Sequence, residues 1–273
     1  MPALSPDQIP EPWSDIAAPY EQTFQPLSMQ FATETLRLLA LQPGERVLDV
    51  AAGTGAFSLM AARAGAEVLA TDFAPGMIAR LRQRIADEGL ARITAEVMDG
   101  QSLTVPDASF DAAVSILGLM FFPDLAQGFA ELRRAVRPGG RVAVVCWGDL
   151  KKLTLFTSVM QAIAKVVPGF QPPATPPVWA RLAGPDELRK QMQTTGLRDV
   201  EITVSSAALR IDSPEAYWSG FTSSAPPLAY LFQQIGPERT AEVGRLVMDA
   251  LRAGAGDGIP ALTAEACIGI GRV

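Results

Sequence analysis

The chain has no histidine at all. That removes the commonest general base, every His-ligated metal site and every Ser-His or Cys-His nucleophile pair. Only two cysteines, Cys146 and Cys267, stand among 273 residues. They are too few for a disulfide framework and, without histidine, too few for a zinc site. No run of Lys and Arg exceeds a pair such as Arg133-Arg134 or Lys151-Lys152, and the net charge is −6, so a nucleic-acid surface is disfavoured. The longest nearly uninterrupted apolar stretch, Ala112 to Phe122, is too short to span a bilayer. The start, Met1 to Asp7, lacks the basic residues and apolar run of a signal peptide, so the expected location is the cytoplasm.

With 48% apolar and 19% charged residues, the composition is that of a soluble globular protein. The length suits one α/β domain with insertions or two domains. Residues 1–12 hold four prolines and read as a loose tail. A helical pattern runs from Trp13 to Leu41, with Trp13, Ile16, Tyr20 and Phe24 on one stripe, and Pro43-Gly44 ends it. Strand and helix patterns then alternate. The strands are Val47–Ala51, Val68–Thr71, Ile93–Met98, Phe110–Ile116 and Arg141–Cys146. The helices begin at Phe57, Pro75 and Leu125, with Pro138-Gly139-Gly140 closing the last. Such alternation predicts a parallel sheet with helices on both faces.

After Trp147 the rhythm breaks. Residues 148–184 hold a helical piece and a proline-rich crossing (Pro168, Pro172, Pro173, Pro176, Pro177), read as either a lid or a contact surface, for which a homodimer is one form. A helix at Pro185–Thr195 and a strand at Val200–Val204 follow. A second insertion, 212–258, opens on Ser213-Pro214, a helix-capping pair, and ends in a helix at Pro237–Arg252. A glycine-rich turn then leads to a final strand, Leu262–Ile270.

The chemistry concentrates at strand ends, where open parallel sheets bind ligands. The first strand carries Asp49 into the Gly53-Thr54-Gly55 turn. Its glycines let backbone N–H groups approach a ligand. A bare phosphate cradle would not want a carboxylate four residues before Gly53, whereas an ammonium or sulfonium group would. Asp72 ends the second strand about 20 residues on, the spacing at which an acid takes ribose hydroxyls. Asp99-Gly100-Gln101 follows the third strand, and Ile116 to Met120 follows the fourth.

In these residues the chain resembles the class I S-adenosylmethionine-dependent methyltransferases. It is most similar to the small-molecule branch that includes the ubiquinone and menaquinone C-methyltransferases, and the likeness is strongest over 47–147. The resemblance implies a Rossmann-like, seven-stranded, mostly parallel sheet whose last strand is antiparallel and lies between strands five and six. It implies that Asp49, Ala51, Gly53, Thr54 and Gly55 hold the methionine part of the cofactor, with Leu117 facing it. Asp72, flanked by Phe73 and Met77, would bind the ribose, and Asp99, Gly100 and Gln101 the adenine. Arg137-Pro138-Gly139-Gly140 is a further landmark. Ala51 and Ala52 stand where the family often has glycine or cysteine. Tyr20 would fold over the cofactor and is the catalytic candidate, no metal being expected.

The whole chain is then one methyltransferase domain. Residues 43–147 bind the cofactor, 13–42 form an N-terminal helical lid, and 148–184 and 212–258 cover the substrate. The expected chemistry is direct in-line transfer of a methyl group to a small, largely apolar or aromatic acceptor. If that acceptor is oxygen or an acidic carbon, Tyr20, Asp124 or a water is the candidate base. Two rival readings remain. One is an NAD(P)-dependent oxidoreductase, whose fingerprint wants a third glycine where Ser58 stands. The other is a non-catalytic protein that binds S-adenosylmethionine. Cys146 and Cys267 read as buried strand residues without chemistry, and the aromatic residues Trp218, Phe221 and Tyr230 as half-buried helix faces or pocket lining.

Overall fold

In the central strand β1 (Arg46–Val50), consecutive side chains are buried against different layers. Val47 packs with one apolar cluster and Leu48 and Val50 with another. A strand buried on both faces must carry helices on both faces. The computed structural model describes residues 4–171, 177–211, 213–255 and 261–273, and among these the strands form one seven-stranded sheet.

In chain order the elements are α1 (Pro10–Asp15), α2 (Ala17–Thr23), α3 (Gln25–Leu39), β1, α4 (Ala56–Arg63), β2 (Glu67–Asp72), α5 (Pro75–Glu88), β3 (Ile93–Val97), β4 (Phe110–Ile116), α6 (Leu125–Ala135) and β5 (Val136–Trp147). There follow α7 (Thr154–Val166), α8 (Pro185–Thr194), β6 (Arg198–Arg210), α9 (Pro214–Ser224), α10 (Pro226–Ile235), α11 (Pro237–Ala255) and β7 (Ala261–Arg272). The sheet order is β3-β2-β1-β4-β5-β7-β6. Strands β1 to β5 pair in parallel, and β7 runs antiparallel to both its neighbours, β5 and β6. The expected sheet and the expected place of its last strand both hold.

Helices α3, α4 and α5 share the cluster that contains Val47, Val68, Ala70 and Val114. The opposite cluster joins Leu48 and Val144 to Phe129 and Leu132 of α6 and to Leu188 and Met192 of α8. It continues through Trp147 into Val159 of α7, Tyr217 and Phe221 of α9, and Val243 and Val247 of α11. The two insertions are thus rooted in the main core. Among the helices of these insertions, α11 lies on α7 and α9, and α9 lies on α2.

Four expectations change. The loose N-terminal tail is instead ordered from Ser5, with a 3₁₀ turn at Pro6–Gln8 and α1 starting at Pro10. The helical pattern expected from Trp13 to Leu41 is divided into three helices, broken at Ile16 and Phe24. Prolines explain this, because Pro lacks an N–H and is tolerated only in a first turn. Pro10 and Pro12, Pro19 and Pro26 each fall in the opening turn of a separate helix. The Pro138-Gly139-Gly140 stop lies inside β5, beside a register shift opposite Phe110 and Ala112. Strand β6 is much longer than Val200–Val204, because it pairs with β7 up to Ala261.

The crossing at Pro172, Pro173 and Pro176 and the turn at 256–260 lie outside the described residues. Among the described residues no helix is long and apolar enough to cross a membrane.

Candidate functional site

The sheet order reverses at β1 and β4, and ligands of open α/β sheets sit at the carboxyl ends of strands at such a point. Two residues there, Ala51 (φ 57°) and Leu117 (φ 55°), hold left-handed backbone without being glycine. That conformation costs about 1–2 kcal/mol per residue, and strain of this kind gathers at functional sites. The backbone of Ala51 passes close to Gly118, where a side chain would collide with the Ala51 Cβ. Leu117 is buried and donates its N–H to Val145 O at 3.0 Å. Gly55, at φ 88°, starts α4, and a side chain there would strike Leu81 of α5.

Asp49 is 1% exposed. Its Oδ2 accepts a hydrogen bond from the Ser58 hydroxyl, whereas its buried Oδ1 has no partner among the described residues. Burial pushes the carboxyl up to about 7; the Ser58 bond counteracts this and the neighbouring Asp72 charge adds to it. Asp72 is buried too, and burial raises it to about 6 against the pull of backbone donors. Gly53 N–H donates to its Oδ2 at 2.8 Å and Ala74 N–H to its Oδ1 at 2.9 Å. Asp72 therefore fixes the glycine loop to β2 and keeps lone pairs for a ligand.

The loop is also held from above. Thr54 Oγ1 donates to Gln25 Oε1 at 2.7 Å, and the Nε2 donor of Gln25, 2% exposed, has no partner among the described residues. A carboxylate oxygen with nothing to accept and an amide nitrogen with nothing to donate to thus flank one loop. Unmet buried groups of this sort cost about 1–3 kcal/mol each. A ligand offering an ammonium to Asp49 and a carboxylate to Gln25 would satisfy both.

Tyr20 lies against Gly53, its Cε1 3.8 Å from where a Cβ would stand. Burial of its phenol end pushes it up to about 12, Ser28 opposing and Asp72 adding. It therefore stays protonated near neutral pH and is a poor general base. Its ring stacks on Phe24, with centroids 5.6 Å apart, in a row of aromatic rings that crosses the sheet edge. Trp13 joins Phe121 to Tyr20, and Phe24 meets Trp147 at the end of β5. Glu21 anchors this segment to α5 by pairing with Arg80 and, at 3.6 Å, with Arg84. Phe73 and Met77 pack with Tyr20, Trp13 and Ala17.

The third strand's loop behaves less uniformly. Asp99 is exposed at the rim and accepts from Gln101 N–H at 2.9 Å. Gly100 is buried beneath Phe122. The Gln101 amide is turned to protein partners: its Oε1 accepts from Asp124 N–H at 2.7 Å and its Nε2 donates to Asp99 at 3.2 Å. It serves to clasp the loop to α6. Asp124 itself caps α6, accepting from Gln127 N–H at 3.0 Å. Neither sequence candidate for a base is thus poised as one.

Two further residues belong to the site. Gln25 carries no motif, and its polarity on an otherwise buried helix stripe is its one mark in the sequence. Ser58 stands where a dinucleotide fingerprint wants a glycine, and its hydroxyl holds Asp49. A dinucleotide fingerprint has no use for that bond. Cys146 and Cys267 are cross-strand neighbours, both buried. Among the described residues no cluster of His, Cys, Asp or Glu suits a metal ion.

A family model described as a methyltransferase domain matches residues 47–140. An uncharacterised protein of Mycobacterium tuberculosis is 44% identical over 105 residues, covering 38% of either chain. The chain thus spans well under half the length of this mycobacterial relative. The demethylmenaquinone methyltransferase of a Parafrankia species is 36% identical over 185 residues, 60% of this chain and 72% of that one. Among solved structures, the YcgJ protein of Bacillus subtilis superposes with a TM-score of 0.60 at 15% identity, covering 88% of this chain and 97% of that one. At that identity the likeness speaks for the fold.

Proposed function

Because the chain belongs to the class I S-adenosylmethionine-dependent methyltransferases, we propose that it carries the cofactor's methyl group to a small, largely apolar or aromatic acceptor by in-line displacement. The observation that carries this reading is the unpartnered pair beside the glycine loop, Asp49 Oδ1 and Gln25 Nε2. S-Adenosylmethionine supplies a methyl group on a cationic sulfur that leaves as a neutral thioether, so the leaving group needs no acid.

Asp49 then takes the ammonium and Gln25 the carboxylate of the methionine end. The remaining lone pairs of Asp72 accept from the ribose hydroxyls, while Asp99 stands at the rim for the adenine amine. The faces of Tyr20 and Phe24 suit a cation beside them, an attraction of about 0.5–2 kcal/mol. They also keep water from the sulfonium side. What the chain contributes is placement and exclusion of water. This agrees with the absence of histidine and with the engagement of Asp124 in a helix cap. The proton that an oxygen or carbon acceptor sheds goes to water. Segments 13–42, 148–184 and 212–258 serve as the cover, and the relative named for demethylmenaquinone makes a quinone-type ring the first acceptor class to try.

Calorimetric titration with S-adenosylmethionine and with NADH, followed by a mass-spectrometric screen of quinol, phenolic, indolic and amine acceptors, tests the proposal. Binding of the first cofactor and a gain of one methyl group on an acceptor are expected. Tight NADH binding without S-adenosylmethionine binding overturns it. Cofactor binding with no methylated product in any acceptor class favours the non-catalytic reading.

A further inference from the structure

The donor reading needs a ligand to reach Asp49 Oδ1 and Gln25 Nε2, and both atoms are buried. Part of the molecule must therefore move aside before the cofactor can enter. The segment that crosses the glycine loop is the one formed by α1 and α2, whose Tyr20 lies against Gly53. It joins α3 at Phe24, where the helix breaks.

The seating of this segment marks it as separable. Trp13, Ile16, Ala17 and Tyr20 meet Phe73, Ala74 and Met77 in a small apolar cluster of their own, distinct from the two clusters that cover the sheet. Beside it, Gly76, Arg80 and Arg84 of α5 stand four residues apart and so share one stripe of the helix. All of them hold the segment. Gly76 N–H donates to Ser14 Oγ at 3.1 Å, and a side chain at this position would strike the Ser14 backbone. Arg80 pairs with Glu21, its Nη2 donating to Oε1 at 3.2 Å. Arg84 Nε lies 3.6 Å from the same oxygen.

Arg84 has a second contact. Its Nη1 donates to Thr54 O at 2.7 Å, so one guanidinium touches both the glycine loop and the segment above it. The side chains of Arg84, Glu21 and Arg80 are 17%, 21% and 39% exposed. Partly exposed pairs are worth too little to decide the fold. They suffice to weight two positions of one segment against each other.

Resting on the methyl-donor reading above, we propose that α1 and α2 form a lid hinged at Phe24, that Glu21 latches it to Arg80 and Arg84, and that its opening admits and releases the cofactor. Glu21 is then a positioning residue that acts on cofactor exchange and not on the transfer step. Arg84, tied to Thr54 O, keeps the loop in register with the closed lid. Such a latch acts alike on the free and the loaded protein. Losing it speeds entry and exit by the same factor and leaves the equilibrium affinity unchanged. A contact that merely supported the site would change exit and affinity together.

Opening is read directly in full chains carrying Met77→Cys, with and without Glu21→Gln. Met77 is buried beneath the segment, so maleimide labelling of the introduced thiol, followed by peptide mass spectrometry, reports how often the lid lifts. Cys146 and Cys267 lie in the main core and report global unfolding in the same sample. Glu21→Gln should raise labelling at position 77 about three-fold, the scale of releasing two partly exposed ion pairs, and leave Cys146 and Cys267 unchanged. With Met77 retained, stopped-flow tryptophan fluorescence gives the association and dissociation rates of S-adenosylhomocysteine. Both rates should rise about three-fold in Glu21→Gln, with Kd held within about 1.5-fold. Unchanged labelling at position 77, an equal rise there and at the native cysteines, or a faster dissociation without a faster association overturns the proposal. If labelling behaves as expected while S-adenosylhomocysteine does not bind the wild type, the donor reading fails and the latched lid stands.

Discussion

At the end of β1 the site is made from polar groups that are expensive to keep where they are. Two buried carboxylates, Asp49 and Asp72, are raised well above their usual range, and Ala51 and Leu117 hold left-handed backbone. The cover above is different. It is ordinary apolar core from α7, α9, α11 and the β6–β7 pair, and Tyr217 carries its one buried hydroxyl without a partner among the described residues. The edge at β1 holds electrostatic and backbone strain that a charged ligand would relieve. The cover holds shape, which an apolar ligand fills. Pre-organised charge recognises one cofactor strictly, whereas a shaped apolar space can be retuned by exchanging methyl groups.

The contrast breaks first at Asp49. Replacing it by asparagine should weaken S-adenosylmethionine binding by about 2–3 kcal/mol, the scale of a hydrogen bond to a charged group. Calorimetry checks this, and a loss below about three-fold would remove the carboxylate from the site. Asp72→Ala comes next, at about 1–3 kcal/mol in cofactor affinity, with a further loss of stability because Gly53 and Ala74 N–H groups lose their acceptor. Gly220→Val probes the other half. A side chain there collides with Thr23, which should lever α9 off α2 and cost about 1–3 kcal/mol in urea unfolding. Cofactor affinity should stay within about two-fold; a loss of cofactor affinity in step with the loss of stability would erase the division into two halves.

Acid–base behaviour gives a fourth test. Both carboxylates are raised in the folded chain, to about 7 and about 6, above the ordinary aspartate value of 3.8. The folded state without cofactor therefore binds protons more tightly than the unfolded one. These two groups favour folding most below pH about 4 and progressively less as pH rises to about 7. An ammonium ligand needs Asp49 ionised, so binding displaces a proton. Cofactor affinity should climb up to ten-fold per pH unit between about 5.5 and 7 and then level. Titration at several pH values checks this, and Asp49→Asn should largely flatten the rise. The smallest effect belongs to Ala51→Gly, which should raise stability by about 1 kcal/mol by relieving a left-handed alanine. A decrease in the urea midpoint would refute that account of strain.

The sheet and donor edge were legible because their signals are local. A strand, a glycine turn and an acid at the next strand's end fall between Asp49 and Asp72, and the alternation after it allows little but a parallel sheet. Gln101 shows the limit of such reading: the segment is where it was expected, but its side chain is spent on Asp124 N–H. Gln25 escaped notice because what makes it part of the site is Thr54, which only the fold brings near. The packing of the two insertions was less legible still. Tyr217, Val243 and Leu262 are far apart in the chain, and each alone looks like core. Where helices would break was decided by proline chemistry more finely than periodicity could resolve.

The aromatic row has an optical consequence. Four tryptophans are present, and they divide between the two halves. Trp13 and Trp147 stand at the row that flanks Tyr20 and Phe24, while Trp179 packs on Phe156 and Trp218 on Phe232 in the cover. Each half of the molecule thus carries its own pair of intrinsic fluorophores. Trp→Phe exchange of one pair would leave emission that reports on the other alone, so that filling of the donor edge and movement of the cover can be timed separately in one stopped-flow trace each.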